Sequence, residues 1–341
     1  STSQTVSLAD NGKYMRIADG TVMWRYDLAA NTNISITVQA NNPTQVVYYN
    51  ERFFYVNNDQ IDASRRRYIY WSGLGDDGPL TWDPLNELGT VGADPIIGIS
   101  TTGGELWLLG PRSYDVYRDS SNIDLPITRV AGSTTEIGIG AANSIASING
   151  RVFWLGASNA GANQIFVTNG YNTQKISTYP IEWQLDNIAN TSDAIGFAYS
   201  QLGHIFYVIT FVSGNKTFVY DLTTQSWHER SSRNPLTGAL DKWHVLRAVS
   251  AFNKVYVGCS RSPNVLELDP NAFSEYDGRE IQRLYQGKVI WNDLKEVFHK
   301  RLTLDIETGV GLQTGQGFNP TLMMQFSDDG GHTWSSELYT S

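Results

Sequence analysis

Cysteine is nearly absent from this chain, which limits the chemistry open to it. Cys259 is the only cysteine among 341 residues. No disulfide can therefore form within the chain, and no zinc site can rest on several cysteine ligands. Cys259 ends the run Val255–Cys259, which is typical of a strand. This position predicts a small buried core residue.

Histidine is also scarce, and its spacing excludes the common metal sites. None of the five histidines stands two or four positions from another, as metal-binding pairs usually do. No phosphate-binding glycine loop follows a strand either. We expect no metal, no cofactor and, for His204 and His228, hydrogen-bonded structural roles. The five are His204, His228, His244, His299 and His332.

Long apolar runs and charges are few as well. The longest apolar run, Ile205–Val212, is interrupted by Thr210, whereas a membrane-spanning helix needs about 20 residues. The polar N-terminus predicts no signal peptide, and the missing initial methionine suggests a fragment or a processed chain. Charged residues make up 17% of the chain, too few for the exposed faces of a helical bundle. The net charge of −9 excludes affinity for DNA through broad phosphate neutralisation.

Turn signals and short apolar runs are abundant, and they are clearest between residues 141 and 178. Asn149-Gly150 and Asn169-Gly170 each separate two such runs. Asn-Gly is the strongest short hairpin signal, because both residues tolerate positive φ. The sequence here predicts a four-stranded antiparallel meander. Its strands are Ser144–Ile148, Arg151–Leu155, Gln164–Thr168 and Gln174–Ser177.

The same unit recurs along the chain. The second strand of successive units begins at Phe53, Leu106, Val152, Ile205 and Val255, with spacings of 53, 46, 53 and 50 residues. Four strands in about 50 residues are typical of a β-propeller blade. We therefore predict an all-β protein with a propeller of about six four-stranded blades. An irregular β-sandwich with coincidental spacing is the alternative.

The domain boundaries follow from the repeat. We predict a propeller over residues 1–295, with a last blade, or the start of a second β domain, over 296–341. In that remainder, Arg301–Ile306 and Thr321–Phe326 are predicted strands around a glycine-rich loop at 309–317. Helix signals are weak throughout.

The C-terminal remainder contains an Asp box, the pattern Ser-x-Asp-x-Gly-x-Thr-Trp. Its aspartate accepts backbone N–H bonds in a tight turn, its glycine takes positive φ, and its tryptophan packs on the hairpin. We therefore predict a structural role and no catalysis. The residues are Ser327, Asp329, Gly331, Thr333 and Trp334. A looser relative spans 70–82.

An enzyme of the sialidase-like kind would need arginines that converge on a substrate carboxylate, and a Tyr–Glu pair. Arg112, Arg129 and Arg247 with Tyr207 supply the residue types. No spacing places them in one cleft, so we expect no catalytic residues and no enzyme.

The only basic run is Arg65-Arg66-Arg67. It suits contact with DNA phosphate or with an acidic partner surface. It equally suits a solvated strand start that discourages edge pairing. Together with loops 76–82 and 119–125, these arginines are our candidates for an interface or for proximity to DNA.

Several short segments, in order, resemble the packaged-DNA stabilisation proteins of short-tailed bacteriophages. The resemblance runs from about Ser7 to Trp334, almost the whole chain. The segments include Leu108–Ser113, Arg129–Gly132, Phe153–Gly156, Lys175–Thr178, Gly203–Val208, Trp227–Arg230 and the Asp box.

The resemblance implies a virion structural protein of the tail, made in the cytoplasm of the host bacterium. A prophage in a bacterial genome is an equally compatible origin of the gene. Members of the family act as the tail hub or nozzle. They form a homohexameric ring beneath the portal and its adaptor protein, close the filled head, retain packaged DNA and line part of the ejection conduit. They also support tail needle and tailspike proteins, and DNA passes them without sequence-specific binding.

Two other functions fit the residues alone. A sialidase-like or glycan-binding Asp-box propeller predicts an arginine-lined pocket on the ring axis. A solitary protein-binding propeller predicts an apolar patch on one face and no self-assembly.

Overall fold

The fold was analysed in a computed structural model of the chain. It describes residues 5–36, 41–76, 87–89, 94–158, 161–234, 236–272, 274–279, 281–290, 298, 300–305 and 321–340. The chain divides into two compact units, Ser1–Leu268 and Asp269–Ser341. The predicted division at residue 295 stays a prediction.

The first unit is a six-bladed β-propeller, which confirms the predicted fold class. Blade 1 contains β1 (Ser7–Asp10), β2 (Tyr14–Ala18), β3 (Met23–Asp27) and β4 (Thr32–Ile36). Blade 2 contains β5 (Pro43–Tyr49), β6 (Arg52–Asn57), β7 (Tyr68–Trp71) and β8 (Glu87–Gly89). Blade 3 contains β9 (Gly98–Thr102), β10 (Glu105–Leu109), β11 (Tyr114–Asp119) and β12 (Ile127–Arg129).

The second half of the propeller is less regular. Blade 4 contains β13 (Ile137–Ile139), β14 (Ala146–Ile148), β15 (Arg151–Ser158), β16 (Gly161–Asn169) and β17 (Asn172–Lys175). Blade 5 contains β18 (Ile195–Gln201), β19 (His204–Phe211), β20 (Lys216–Asp221) and β21 (Ser226–Glu229). A hairpin of β22 (Ser231–Arg233) and β23 (Leu240–Lys242) follows. Blade 6 contains β24 (Val245–Ala251), β25 (Lys254–Cys259) and β26 (Val265–Glu267).

Central strands of blades 2, 3 and 5 are covered on both faces, because each of these blades lies between two neighbours. Every residue of β6 is buried, and β10 and β20 are buried except at their first residue. These strands read as continuous apolar runs, as strands in stacked sheets do. The period of the repeat is therefore easiest to see on them.

Five buried apolar clusters fill the boundaries between consecutive blades. Each combines residues of two adjacent blades, for example Val46 and Phe53 of blade 2 with Met23 of blade 1. The cluster between blades 4 and 5 contains fifteen buried residues, and Phe153 and Tyr207 stack there with ring centroids 5.0 Å apart. Burial of this kind is the main source of stability in a propeller.

Two glycines allow the blades to approach this closely. A Cβ on Gly138 would lie 1.9 Å from the carbonyl oxygen of Pro111 in blade 3, and one on Gly196 would lie 2.1 Å from that of Ser144. Both distances are far shorter than any van der Waals contact. Any larger residue would push the blades apart.

The structure corrects three details. Blade 4 has five strands, because β13 also pairs with β15 beside the predicted meander. A helix that the sequence did not predict, α1 (Tyr179–Asp186), joins blades 4 and 5. Cys259 is half-buried and not a core residue, because it lies at the end of β25 in blade 6, the last blade.

The second unit contains one described hairpin, β27 (Leu322–Met324) paired with β28 (Leu338–Thr340). The strand predicted at Arg301–Ile306 is not observed over residues 301–305, and residue 306 lies outside the described residues, as does loop 309–317. Within the described residues, no helix is long and apolar enough to cross a membrane.

Candidate functional site

The meander topology gives the propeller two ends with different loops. At one end, which we call the hairpin end, the first strand of each blade turns into the second and the third into the fourth. At the other, the connector end, the second strand leads to the third and each blade leads to the next. Contacts between neighbouring blades agree with this division. Tyr49 Oη donates to Gly104 O at the hairpin end (2.8 Å), and Ile96 N donates to Arg66 O at the connector end (2.7 Å).

The two ends differ in charge. Six arginines of the propeller are exposed, and five of them lie at the connector end. They are Arg67, Arg112, Arg129, Arg233 and Arg261. The hairpin end carries Arg118 and a series of exposed carboxylates that includes Asp10, Glu51, Asp119 and Asp124. Arginine is therefore concentrated at the connector end, but each end carries both signs: Lys13 and Lys254 are exposed at the hairpin end, and Asp62, Glu136 and Glu229 at the connector end.

The predicted arginine run lies on a 3-10 helix, Ala63–Arg67, at the connector end of blade 2. Arg66 Nε donates to the carbonyl oxygen of Asp59 (2.7 Å), and Arg65 lies 3.5 Å from the carboxylate of Asp62. Arg67 is exposed. The run is therefore held in a fixed conformation, and part of its charge reaches the surface. Its role as an interface or DNA-proximal element stays a prediction.

Loop 119–125, the second interface candidate, lies at the hairpin end of blade 3. Its conformation is fixed from blade 2: Asp119 N donates to Tyr49 Oη (2.9 Å) and Arg52 Nη2 donates to Ile123 O (3.1 Å). Ile123 is 71% exposed, so the loop presents an apolar side chain to solvent. Of loop 76–82, only residue 76 lies within the described residues.

A cavity of about 500 Å³ opens between blades 2 and 3 at the hairpin end. It lies where the β5–β6 hairpin, the β9–β10 hairpin and the end of β11 meet. Its walls combine aromatic rings, hydroxyl groups and carboxylates. The lining includes Tyr48, Tyr49, Thr101, Thr102, Glu105 and Asp119.

The electrostatics of this cavity favour cations. Burial, together with the nearby charges of Asp119 and Glu105, raises the pKa of Tyr49. The Glu105 carboxylate accepts a hydrogen bond from Tyr171 Oη of blade 4, and this bond raises the pKa of that tyrosine. Both phenols therefore stay neutral near pH 7. The two carboxylates supply the only formal charges among the lining residues.

The residues considered for a sialidase-like site are not brought together. Tyr207 is buried in the cluster between blades 4 and 5, where its hydroxyl donates to Ser144 O (2.8 Å). Burial raises the pKa of Tyr207 well above its usual value, which is unsuitable for a nucleophile. Arg247 donates to Gly196 O from blade 6, while Arg129 contacts Asp115 and Thr134 in blade 3. Nor is the cavity at the hairpin end lined by arginine.

The two histidines singled out by the sequence make hydrogen bonds. Nδ1 of His204 lies 2.7 Å from Asp221 Oδ2, and Nε2 of His228 accepts from Arg230 Nε at 3.3 Å. Among the described residues, no group of three or more His, Cys, Asp or Glu side chains could hold a metal ion.

Sequence reasoning missed a cluster around Arg230. Its guanidinium lies over the rings of Trp243, Phe206 and Tyr199, at 4.8, 5.3 and 5.9 Å from their centroids. Its Nη1 also donates to Tyr199 Oη (2.7 Å). The arginine thus completes the boundary between blades 5 and 6. A lone arginine after Trp-His-Glu gave no signal for this role.

The Asp box of the second unit has the bonds expected of a tight turn. Asp329 Oδ1 accepts from Thr333 N (2.8 Å) and from Ser327 Oγ (2.8 Å), and Gly331 N donates to Ser327 Oγ (2.8 Å). Hydrogen bonds from Thr333 and Ser327 lower the pKa of Asp329 to about 2. Gly331 has a φ of 96°, and Trp334 is 47% exposed. All these bonds are local to the turn.

Comparison with known families decides the assignment. Residues 1–273 match a phage-stabilisation family described as the bacteriophage P22 Gp10 β-propeller. The chain belongs to this family. The matched residues include all six blades, so the P22 Gp10 family assignment applies to the whole propeller. The protein is accordingly a bacteriophage structural protein.

Among solved structures, two similar ones are as follows, and at this level of identity the first supports the fold alone. A structure of the dihydro-heme d1 dehydrogenase NirN in complex with DHE has a TM-score of 0.50 at 10% identity, and the match covers 82% of this chain and 56% of that one. AztD from Citrobacter koseri has a TM-score of 0.44 at 12% identity, over 81% of this chain and 69% of that one. No curated protein sequence matches.

Proposed function

We propose that this protein is the tail hub, or nozzle, of a short-tailed bacteriophage. In this role it forms a homohexameric ring beneath the portal and its adaptor protein. It closes the filled head, retains packaged DNA and lines part of the conduit for ejection. The observation that carries the proposal is the match of all six blades to the P22 Gp10 family.

The charge distribution supports a conduit that does not hold DNA. With a net charge of −9, the chain as a whole repels phosphate. Arginines at the connector end offer local contacts to DNA backbone or to an acidic partner. A conduit must release DNA during ejection, so weak overall attraction suits this role. The tail needle, the tailspike and the portal adaptor are the proposed neighbours.

The mass in solution tests the ring. Light scattering over a concentration series should show a hexamer, or a mass that rises towards that of a hexamer. A strict monomer at every concentration would contradict autonomous ring formation.

DNA retention tests the function itself. DNA-filled heads that lack this protein should lose DNA to a nuclease, and adding the purified protein should protect it. Unchanged nuclease sensitivity would overturn the head-closure role even where a ring forms. Bovine serum albumin at the same concentration is the control for non-specific protection.

A further inference from the structure

We propose that the acidic cavity between blades 2 and 3 receives the arginine run Arg65–Arg67 of a second copy of this chain. The inference rests on the ring of the proposed function and names the contact that holds it together. The cavity lies at the hairpin end of the propeller and the run at the connector end.

The symmetry of a ring requires a contact between two different patches of the chain. A ring with one six-fold axis is built from heterologous contacts, in which one patch of each subunit meets a different patch of the next. Two complementary surfaces must therefore lie at different places on each copy. Opposite ends of blade 2 are two such places, because β6 runs from the cavity towards the loop that carries the arginines. Closure into a ring then requires a fixed rotation between successive copies.

Charge selects which surfaces can meet. Copies of a chain with a net charge of −9 repel one another, so a contact that brings a basic patch to an acidic one is favoured over pairings of like charge. Arg65–Arg67 is the only run of three consecutive lysines or arginines in the sequence. Two carboxylates, Glu105 and Asp119, line the cavity at the hairpin end, and no lysine or arginine is among its lining residues.

The cavity has the chemistry that an arginine side chain needs. Carboxylates bind guanidinium in a bidentate geometry, and tyrosine rings attract cations across their faces. Tyr48 and Tyr49 line the cavity beside the carboxylates. Two further cations lie nearby: Arg118 precedes Asp119 in the chain and is exposed, and buried Arg52 donates to Ser72 O and Ile123 O. Arg118 acts on Tyr171, the hydrogen-bond partner of Glu105, and Arg52 acts on Asp119, so these two cations reduce the negative potential at both carboxylates without lining the cavity themselves.

Hydrogen bonds fix the backbone of the arginine run before any contact forms. The carbonyl oxygens of Arg65 and Arg66 accept from Asn57 Nδ2 (2.9 Å) and Ile96 N (2.7 Å). This backbone needs no ordering when it docks, which lowers the entropy cost of association.

Charge exchange between copies is the decisive experiment. One variant, E105K/D119K, reverses the cavity, and a second, R65E/R67E, reverses the run. Each alone should weaken assembly about 100-fold, because like charges then face each other. An equimolar mixture should assemble again in alternation, because lysine now meets glutamate and the native arginine meets the native carboxylates. Light scattering at low salt measures both the loss of assembly in each variant and its recovery in the mixture.

The controls separate this contact from general electrostatics and from misfolding. R112E/R233E changes the charge at the same end by the same amount and should leave assembly within about twofold. The neutral variants E105Q/D119N and R65Q/R67Q should each weaken assembly about tenfold, with far-UV circular dichroism unchanged.

The outcomes are distinguishable. Failure of the mixture to assemble, or an equal loss in R112E/R233E, would overturn the contact and leave the ring in place. A wild-type chain that stays monomeric at every concentration would overturn both the contact and autonomous ring formation.

Discussion

The boundary between blades 4 and 5 and the boundary between blades 5 and 6 fill the same kind of space in different ways. The first is apolar and closely packed: Gly196 lets the two backbones approach, and the Tyr207 hydroxyl donates to Ser144 O. The second contains a smaller apolar cluster, and a half-buried arginine packs on three aromatic rings.

The two boundaries differ in how well they tolerate substitutions. A closely packed apolar boundary gains most from burial but accepts no added atoms. A boundary completed by an amphipathic side chain keeps access to water, so its polar groups have alternative partners. Substitutions at the first boundary should therefore cost more than matched substitutions at the second. Three measurements test this, and a fourth concerns a turn outside both boundaries.

The largest effect is expected from Gly196→Ala. The new methyl group would overlap the carbonyl oxygen of Ser144 and separate blades 4 and 5, which should lower the free energy of unfolding by about 3 kcal/mol. Urea denaturation measures the change. Gly258→Ala in blade 6 is the matched control. Nothing lies within 4 Å of its position, and it should stay within about 0.5 kcal/mol of wild type. Equal losses would contradict the comparison.

Removing one hydroxyl at each boundary should give the next largest difference. Tyr207→Phe leaves the buried Ser144 carbonyl without this donor and should destabilise by about 2 kcal/mol. Tyr199→Phe removes an acceptor from Arg230, which water can replace, and should cost about 1 kcal/mol or less. Chemical denaturation of both variants and of wild type in one buffer decides the order. A larger loss for Tyr199→Phe would refute the difference in tolerance.

Arg230→Met should cost about 1 kcal/mol, because methionine keeps the apolar stem and removes the charge over the three rings. A double-mutant cycle with Trp243→Leu measures the interaction energy between Arg230 and Trp243. A coupling near zero would show that the arginine contributes only packing. Thermal unfolding of the four proteins in the cycle supplies the energies.

An effect no larger than that of Arg230→Met is expected at the Asp221 turn of blade 5, outside both boundaries. Burial alone would raise the pKa of Asp221, but hydrogen bonds from Thr224, His204 and Thr223 lower it below the usual value of 3.8. A carboxylate with a depressed pKa stabilises the fold at higher pH, and this contribution is lost as pH falls through its folded pKa.

Asp221→Asn should therefore cost about 1 kcal/mol above about pH 5 and progressively less at lower pH. Urea midpoints measured for both proteins from neutral to acidic pH give the profile. A difference that grows on acidification would have the wrong sign and would refute this account of the turn.

The repeat could be predicted because it depends on local signals. Asn149 and Gly150 both adopt positive φ, as a hairpin of this type requires. The middle strands are buried on both faces, so their apolar runs recur at the spacing of the blades. Such patterns can be recognised in a single sequence.

The features missed depend on short or distant signals. The helix Tyr179–Asp186 has only eight residues, too few for a helical period to stand out, although Pro180 near its start was a usable cue. The Arg230 cluster gathers side chains from four separate segments, and the cavity at the hairpin end joins two blades. Only the folded chain places these residues together.

Cys259 has one further consequence. Because it is the only thiol in the chain and is half-buried, a thiol-reactive spin label would attach at a single place. In a ring of six identical copies, labels at one radius are separated by only three distances, and the symmetry fixes their ratios. Pulsed electron resonance on the labelled protein would thus reveal the number of copies from geometry alone, without reference to mass.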